Sequence, residues 1–598
     1  MLSGIEPVLV ALATQAAEQG PTIEEVLLDL LPIALIAAGV GIFVAKVGKF
    51  PYTIALLLAG IAVSIVRFTT GAFEIEIELS HDLILLVLLP PLLFEGAATT
   101  DLERLRRNAL PILVMAVVGL LLSITALGLA GAWAFDAVTA GTFPLMVALL
   151  FAAMALPTDP VSVLALFEEL GAPDRLAVLV EGESLVNDGV GVVIFSSFLG
   201  FVVSGRSPAE LFTVEGIGAL AVEVAVVSLG GLLVGAVAGY AVYSVMANLD
   251  EHMTEIVLAL ILAYGSFLAA EHYLHVSGVI ATVVAGLFIG NRGTEYAMSP
   301  QTKISIFNTL ETGSFLVNTF IFLMIGVVTP IDQLAAHASL MGIAILFVLC
   351  ARALAVYPLT ALLNRITDQH VPRSYQHVMW WGGLHASIPI ALVLGLPATV
   401  ESGAAFPFRE ELRAMVFGVA TFSLVVQGMT ISNLIDRLGI VTRSDAEELY
   451  ELLVGRRRAV LEALDAAEEL KVQGDLPAEV FEDFTAEYER ERDDLQETIA
   501  ALLAKNPGLR RERLLVGERQ ILRQERSAIM DAIQSGIVAG DVGERLVEEI
   551  DLKLDRVRAG ETTVERAEEG YTEFWRSRAR DVGIDVAATE SDARRAEE

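Results

Sequence analysis

Lysine is nearly missing from this chain of 598 residues, with six lysines against 34 arginines. Cysteine is rarer still: Cys350 alone excludes an intramolecular disulfide and a thiolate-held metal cluster. Its place in an apolar run predicts a small buried residue. No HExxH pair occurs, which removes the mark of a zinc-dependent membrane peptidase. The first residues, MLSGIEPVLVALATQAAEQG, lack the basic start of a signal peptide, so residues 1–25 read as a short extramembrane segment.

What is present is apolar surface. The chain is 54% hydrophobic with a mean hydropathy of +0.62, too apolar for a soluble protein of this size, and it reads as an all-α polytopic membrane protein. The apolar runs stop near Arg437, and an acidic stretch rich in Arg follows. The expected domains are therefore a transmembrane unit over 26–437 and a cytoplasmic helical tail over 438–598. The net charge of −34 is shared between both parts, −19 up to residue 440 and −15 beyond. Acidity that uniform, with so little lysine, points to a salt-loving prokaryotic host in which salt screens carboxylate repulsion.

Apolar stretches long enough to span lie at 26–46, 52–68, 82–98, 108–134, 144–168, 176–204, 215–246, 253–271, 276–291, 305–329, 339–363, 377–398 and 411–436. Thirteen spans put the two termini on opposite sides. With the N-terminus outside, the inner loops collect ten basic residues, among them Lys46, Lys49, Arg104, Arg175, Arg292 and Arg373. The outer loops hold Arg67, Arg206, Arg409 and Arg413, so positive charge supports this orientation in a cell membrane. In the tail, Leu453, Val460, Leu464 and Ala467, then Leu514, Leu515, Ile521, Leu522, Ile529 and Ile533, have helical spacing, with turns expected at Gly508 and at the GDL and GDV sequences. It carries no phosphate loop or dinucleotide fingerprint, and reads as a regulatory or dimerising bundle whose last residues, ATESDARRAEE, are unstructured.

Ionisable groups inside the spans are costly, and each calls for a reason. In ALPTDPVSV, Pro157 and Pro160 flank Thr158 and Asp159, and Pro160 pushes Asp159 away from the α region. The helix must open there, and freed carbonyls in a membrane are tolerated only where something such as a bound cation or water satisfies them. Next comes LVEGESLVNDGVGVVIF, where Glu183 and Asn187 share one helix face and Ser184 and Asp188 the adjacent one. The two spans can pack antiparallel and bring Asp159 and Asp188 together. Two such carboxylates do not both stay ionised without a cation, so cation binding and proton uptake compete. Glu95 follows Pro90 and Pro91 near the end of a span, and Asn318 offers a neutral polar group. Arg352 lies in an apolar run and needs a carboxylate, for which Glu183 is the candidate; Glu181 has no assigned partner. His385, beside Pro389, marks a second interrupted span and reads as a satisfied structural group rather than a proton carrier. Interruptions near 158 and 387, one in each half, are the pattern of a transporter built from inverted repeats.

At these residues the chain resembles the monovalent cation:proton antiporter family, the branch of archaeal NhaP-type antiporters and animal sodium/proton exchangers. The matching motifs are LPPLLFEGA, LPTDPV, EGESLVNDG, GVIATVVAGLFIGN, FLMIG and WGGL followed by IPIAL, in order across 25–437. The resemblance implies a 13-helix homodimer in the lipid bilayer, working by alternating access, with sodium and protons as substrates and no cofactor. It places the principal cation and proton carboxylate on Asp188, helped by Asp159, Thr158 and Ser184, with Glu95 acting through water. Asn187 would hold the aspartate and mark electroneutral one-for-one exchange, and Glu183 with Arg352 would be a structural ion pair. Where many members carry Arg in a GLRG motif, this chain has GLHAS, with His385.

Other readings remain open at this point. Potassium or lithium could replace sodium, because a carboxylate and carbonyl site selects by size and hydration. A passive channel would carry sodium without moving protons. An intramembrane aspartyl protease could use two aspartates on neighbouring spans, but neither sits in a GxGD setting. Neither nucleic acid nor an enzymatic reaction is expected.

Overall fold

The computed structural model describes residues 23–47, 51–70, 79–139, 143–159, 163–164, 167, 171–249, 251–294, 298, 300–367, 369–440, 445–534, 536–558, 560 and 562. The expectations for residues 1–22, Lys49, Pro160 and the final ATESDARRAEE lie outside them. Two compact units emerge, residues 1–442 and 443–598.

The first unit is a bundle of α-helices. Numbering its longer helices in chain order gives α1 (Ile23–Val47), α2 (Tyr52–Thr70), α3 (Leu83–Thr99), α4 (Ala109–Val138), α5 (Leu145–Ala155), α6 (Asp174–Ser204) and α7 (Val214–Met246). Then follow α8 (Met253–Tyr273), α9 (Gly278–Gly293), α10 (Pro300–Val327), α11 (Ala338–Ile366), α12 (Arg373–Trp381), α13 (Ser387–Leu394) and α14 (Arg409–Leu438). Among the described residues, eight are long and apolar enough to cross a membrane, and four more are shorter and apolar. Each of the 13 predicted stretches meets a helix, and the stretch at 377–398 meets two, α12 and α13.

Local chemistry sets the ends. Pro173 precedes α6, whose first turn holds Asp174 near the positive helix end, and Gly205 ends it with a left-handed φ of 65°. Thr213 and Ser277 cap α7 and α9 with their hydroxyls. In α3, Pro90 and Pro91 disturb the helix without breaking it: the preceding turns, Leu83–Leu88, widen to π geometry, which absorbs the missing donors.

Cys350 departs from expectation, since it is exposed on α11. A helix apolar all round, as a span is, does not reveal from sequence which residues face its neighbours.

Packing divides the bundle into two groups. Helices α4, α5, α6, α11, α13 and α14 pack on one another, and α3, α7, α8, α9 and α10 form another set. A separate apolar cluster inside the second set joins Phe94 and Ala98 to Leu262, Ala285, Ile289 and Ile306. Helix α6 touches α7 and α9 along the seam. The loops also sort by end. At one end Arg104 pairs with Asp174, Arg175 Nη1 donates to the His370 carbonyl at 2.8 Å, and Asn291 Nδ2 donates to the Thr100 carbonyl at 3.0 Å. At the other, the Phe143 and Phe408 rings lie 4.7 Å apart and the Glu401 amide donates to the Val203 carbonyl at 3.1 Å.

The second unit contains α15 (Asp445–Gln473), α16 (Ala478–Lys505), α17 (Pro507–Gln534) and α18 (Gly540–Arg558), with α15 packed on α16 and α17 on α18. The middle break falls on Asn506 rather than Gly508, because a residue before proline is pushed out of the helical region; Gly508 sits inside the next helix. Leu522 is buried and Ile521 exposed. Adjacent helical residues point about 100° apart, so only one can face the partner helix.

Candidate functional site

Two chain breaks meet at the centre of the first packing group. Helix α5 ends at Ala155, and residues 156–159 are not helical. Helix α12 ends at Trp381, and α13 begins only at Ser387. The two breaks satisfy each other's backbone: the Asp159 amide donates to the Leu384 carbonyl at 2.7 Å, and His385 Nδ1 lies 3.0 Å from the Pro157 carbonyl. Ser387 Oγ donates to Asp159 Oδ2 at 3.2 Å. The carbonyls that the prolines free are thus met partly by protein donors, a contact across more than 220 residues that no local pattern reveals.

Helix α6 runs against this crossing. Its Gly191 allows the approach, since a side chain there would begin 2.7 Å from Pro157 Cγ. Ser184 Oγ lies 3.0 Å from Thr158 Oγ1, and Asn187 Nδ2 donates to Thr158 Oγ1 at 3.5 Å. Asp188 is 6% exposed and lies within Coulombic reach of Asp159. Two buried acceptors at this point, Asp188 Oδ1 and Asn187 Oδ1, receive no hydrogen bond among the described residues. Thr158, Asp159, Ser184, Asn187 and Asp188 therefore form one cluster of oxygen donors with uncommitted acceptor capacity. Oxygen ligands of this kind suit hard cations. No group of three or more His, Cys, Asp or Glu side chains able to hold a transition metal occurs among the described residues.

Glu183 is engaged elsewhere. Arg352 Nη1 lies 2.5 Å from Glu183 Oε1, and Nη2 donates to the Met379 carbonyl at 2.8 Å. Both side chains are buried. A side chain at Gly383 would begin 2.9 Å from Arg352 Nε, so the second break is shaped around this guanidinium. His385 is tied into the framework: its amide donates to Ser423 Oγ at 3.0 Å, and Ser423 Oγ donates back to the His385 carbonyl at 3.1 Å.

The remaining candidates sit apart from the oxygen cluster or at its edge. Glu95 is half-buried on α3. Asn318 is half-buried on α10, and no hydrogen bond joins it to either aspartate among the described residues. Glu181, for which sequence offered no partner, receives a hydrogen bond from the Thr100 hydroxyl at the end of α3. Ser387 and Ser423 were missed; serines at a helix start and inside an apolar span carry little signal until the breaks are seen to cross.

The family model for the transmembrane sodium/hydrogen exchanger matches residues 33–437. The chain is 34% identical to the Na(+)/H(+) antiporter NhaG of Bacillus atrophaeus, over 87% of this chain and 96% of that one. It is also 34% identical to the Na(+)/H(+) antiporter ApNhaP of Aphanothece halophytica, over 75% and 81% of the two chains. Among solved structures, the sodium proton antiporter MjNhaP1 from Methanocaldococcus jannaschii superposes with a TM-score of 0.51 at 18% identity, covering 70% of this chain and 99% of that one. With a family match across the whole membrane unit and relatives this similar along most of their length, the chain belongs to the sodium/hydrogen exchanger family.

Proposed function

We propose that the exchange of sodium for protons by this chain runs through Asp188, which holds either ion in turn. The observation that carries this reading is Asp188 Oδ1, buried without a hydrogen bond among the described residues and within Coulombic reach of Asp159 at the crossing of two helix breaks. Asp188, Asp159, Thr158 and Ser184 hold the sodium ion, and Asn187 and Ser387 keep Thr158 and Asp159 in place. A bare carboxylate is costly to carry across the barrier, so only the loaded forms move, and the two fluxes are coupled.

Charge bookkeeping then gives electroneutral exchange. Asp188 with sodium and Asp188 with a proton carry the same charge, so a full cycle moves none. Sodium is favoured over potassium, since the named relatives are Na(+)/H(+) antiporters. Family membership also sets aside the protease and the passive channel. The oxygen cluster supplies all the chemistry this reading needs, without a cofactor.

The same reading sets the N-terminus outside and the tail in the cytoplasm of a salt-adapted prokaryote. It is supported by the basic residues that gather at the end holding Arg104, Arg107 and Arg175. A homodimer is proposed through α7, where Val222, Val226, Leu229, Leu233 and Val237 are all exposed. The tail is proposed to regulate exchange or to dimerise. The test of the site is Asp188→Asn in proteoliposomes: sodium-driven proton movement should fall to background, and full exchange in that variant would overturn the assignment.

A further inference from the structure

Helix α6 runs from Asp174, which pairs with Arg104, past Asp188 to Ser204. On the side of Asp188 away from Arg104, the two helix groups meet at Gly189 and at His81. Gly189 faces the first turn of α9, where a side chain added to it would overlap Ile280. The contact at His81 is polar. The Ser80 hydroxyl accepts from the Leu83 amide and the Ser80 carbonyl from the Ile84 amide, both at 3.2 Å, which fixes His81 in the turn that opens α3. Its ring Nδ1 lies 2.8 Å from the Ala391 carbonyl oxygen of α13, so a residue of the second packing group holds a backbone group of the first. Arg409 Nε, donating to the Leu396 carbonyl at 3.1 Å, ties this end of α13 to the end where Phe143 meets Phe408.

The chemistry of the pair fixes its direction. A carbonyl oxygen only accepts, so Nδ1 carries the proton and donates. The neutral ring protonated at Nδ1 and the imidazolium both present that donor, so the contact is made in either charge state. Gly395 supplies the space. Its φ of −75° and ψ of −2° suit any residue, so the backbone does not call for glycine there. A side chain at 395 would begin 2.7 Å from His81 Cγ and closer still to Nδ1. The turn from Ala391 to Gly395 is thus a seat for the His81 ring. The Gly395 amide donates to the same Ala391 oxygen at 3.1 Å, which leaves that oxygen's second lone pair to the ring.

An exchanger opens its site to one side at a time, so a contact that bridges the two groups on one side has to part when that side opens. We propose that His81 is a positioning residue of the exchange cycle: seated on Gly395 and bound to the Ala391 carbonyl, it seals the outer approach to the site while the inner approach is in use. Releasing Ala391 is part of opening to the outside, and Gly395 contributes the space that the ring fills.

The inference rests on the exchanger reading and on the proposed orientation, not on Asp188 as the carrier. Its test uses the full-length chain with Cys350→Ser, which removes the exposed native thiol, and a reporter thiol at Ile388→Cys. Ile388 is buried on the same face of α13 as Ala391 and Gly395, at i, i+3 and i+7. Labelling by a membrane-impermeant maleimide is timed in right-side-out and inside-out vesicles. In right-side-out vesicles His81→Ala and Gly395→Ala should each label about two- to tenfold faster than the parent, the span of one net hydrogen bond. The double variant should label no faster than the faster single one, because both changes undo one contact. His81→Asn keeps an amide donor near the place of Nδ1 and should stay near the parent rate, a rescue that lost packing would not show. In inside-out vesicles no variant should label faster than the parent. Parent rates in both alanine variants, or effects that multiply in the double variant, overturn the seal. Faster labelling confined to inside-out vesicles would invert the orientation and leave the seal standing, and exchange surviving in Asp188→Asn would overturn the site without touching it.

Discussion

Glu183 and Asp188 are buried carboxylic acids five residues apart on one helix, and their surroundings treat them in opposite ways. Glu183 has a guanidinium at 2.5 Å. Asp188 has a second carboxylate, Asp159, within Coulombic reach, and one buried oxygen with no donor among the described residues. A matched buried charge is structure, because removing either partner strands the other. A buried acid without a protein cation is costly to fold around and is free to take a mobile one. A buried acid oxygen left unmatched beside a matched pair is the pattern that the proposed site at Asp188 calls for.

The comparison breaks most visibly at Asp188→Asn. Exchange should vanish, while the thermal midpoint of the detergent-solubilised protein should hold or rise, because an uncompensated carboxyl has been removed. A collapse in stability alongside the lost exchange would show that Asp188 is a structural group like Glu183. Arg352→Met comes next and should do the reverse. It strands the Glu183 carboxylate and should cost about 3–5 kcal/mol, read as a large drop in the midpoint. The double variant Glu183→Leu with Arg352→Met should recover most of that loss. If it does not, the pair has a role in exchange beyond folding.

Smaller in effect are the hydroxyls. Ser184→Ala or Thr158→Val removes one oxygen from the proposed sodium site and should raise sodium KM several-fold, in line with about 0.5–1.5 kcal/mol for one interaction. Proton-limited turnover at saturating sodium should stay near wild type. An unchanged KM in both variants would take these hydroxyls out of the sodium site and leave them as supports for the helix break.

Much of this geometry is legible in the sequence where it is local. The prolines around Thr158 and Asp159 announce the opened helix, and the spacing of Glu183, Ser184, Asn187 and Asp188 announces two polar stripes. The pairing of Glu183 with Arg352 was reachable because a lone arginine in an apolar run must find an acid. Contacts between distant segments left no such trace. The crossing of the breaks depends on backbone groups of Asp159 and Leu384, which every sequence has, and Thr100 looks like any threonine at a helix end. The exposure of Cys350 was hidden for a related reason, since apolar residues serve equally well against a neighbouring helix and on the outer face of a span.

The smallest expected effect extends the comparison to the tail. Arg456 and Glu491 make two hydrogen bonds, at 2.6 and 3.0 Å, a geometry as good as that of Arg352 and Glu183. The Arg456 guanidinium holds the Glu491 carboxyl below its usual range. A depressed acid lends stability above its unfolded pKa and loses it as pH falls through the folded value, so any contribution is present at neutral pH and disappears in acid. Both groups remain in contact with water, however, and salt screens them. Arg456→Ala should therefore leave the thermal midpoint and sodium-driven exchange near wild type at neutral pH, and raising salt should not widen the gap. A loss approaching that of Arg352→Met would mean that the tail pair is covered in the assembled protein, and that burial by a second copy, rather than pairing geometry, sets its strength.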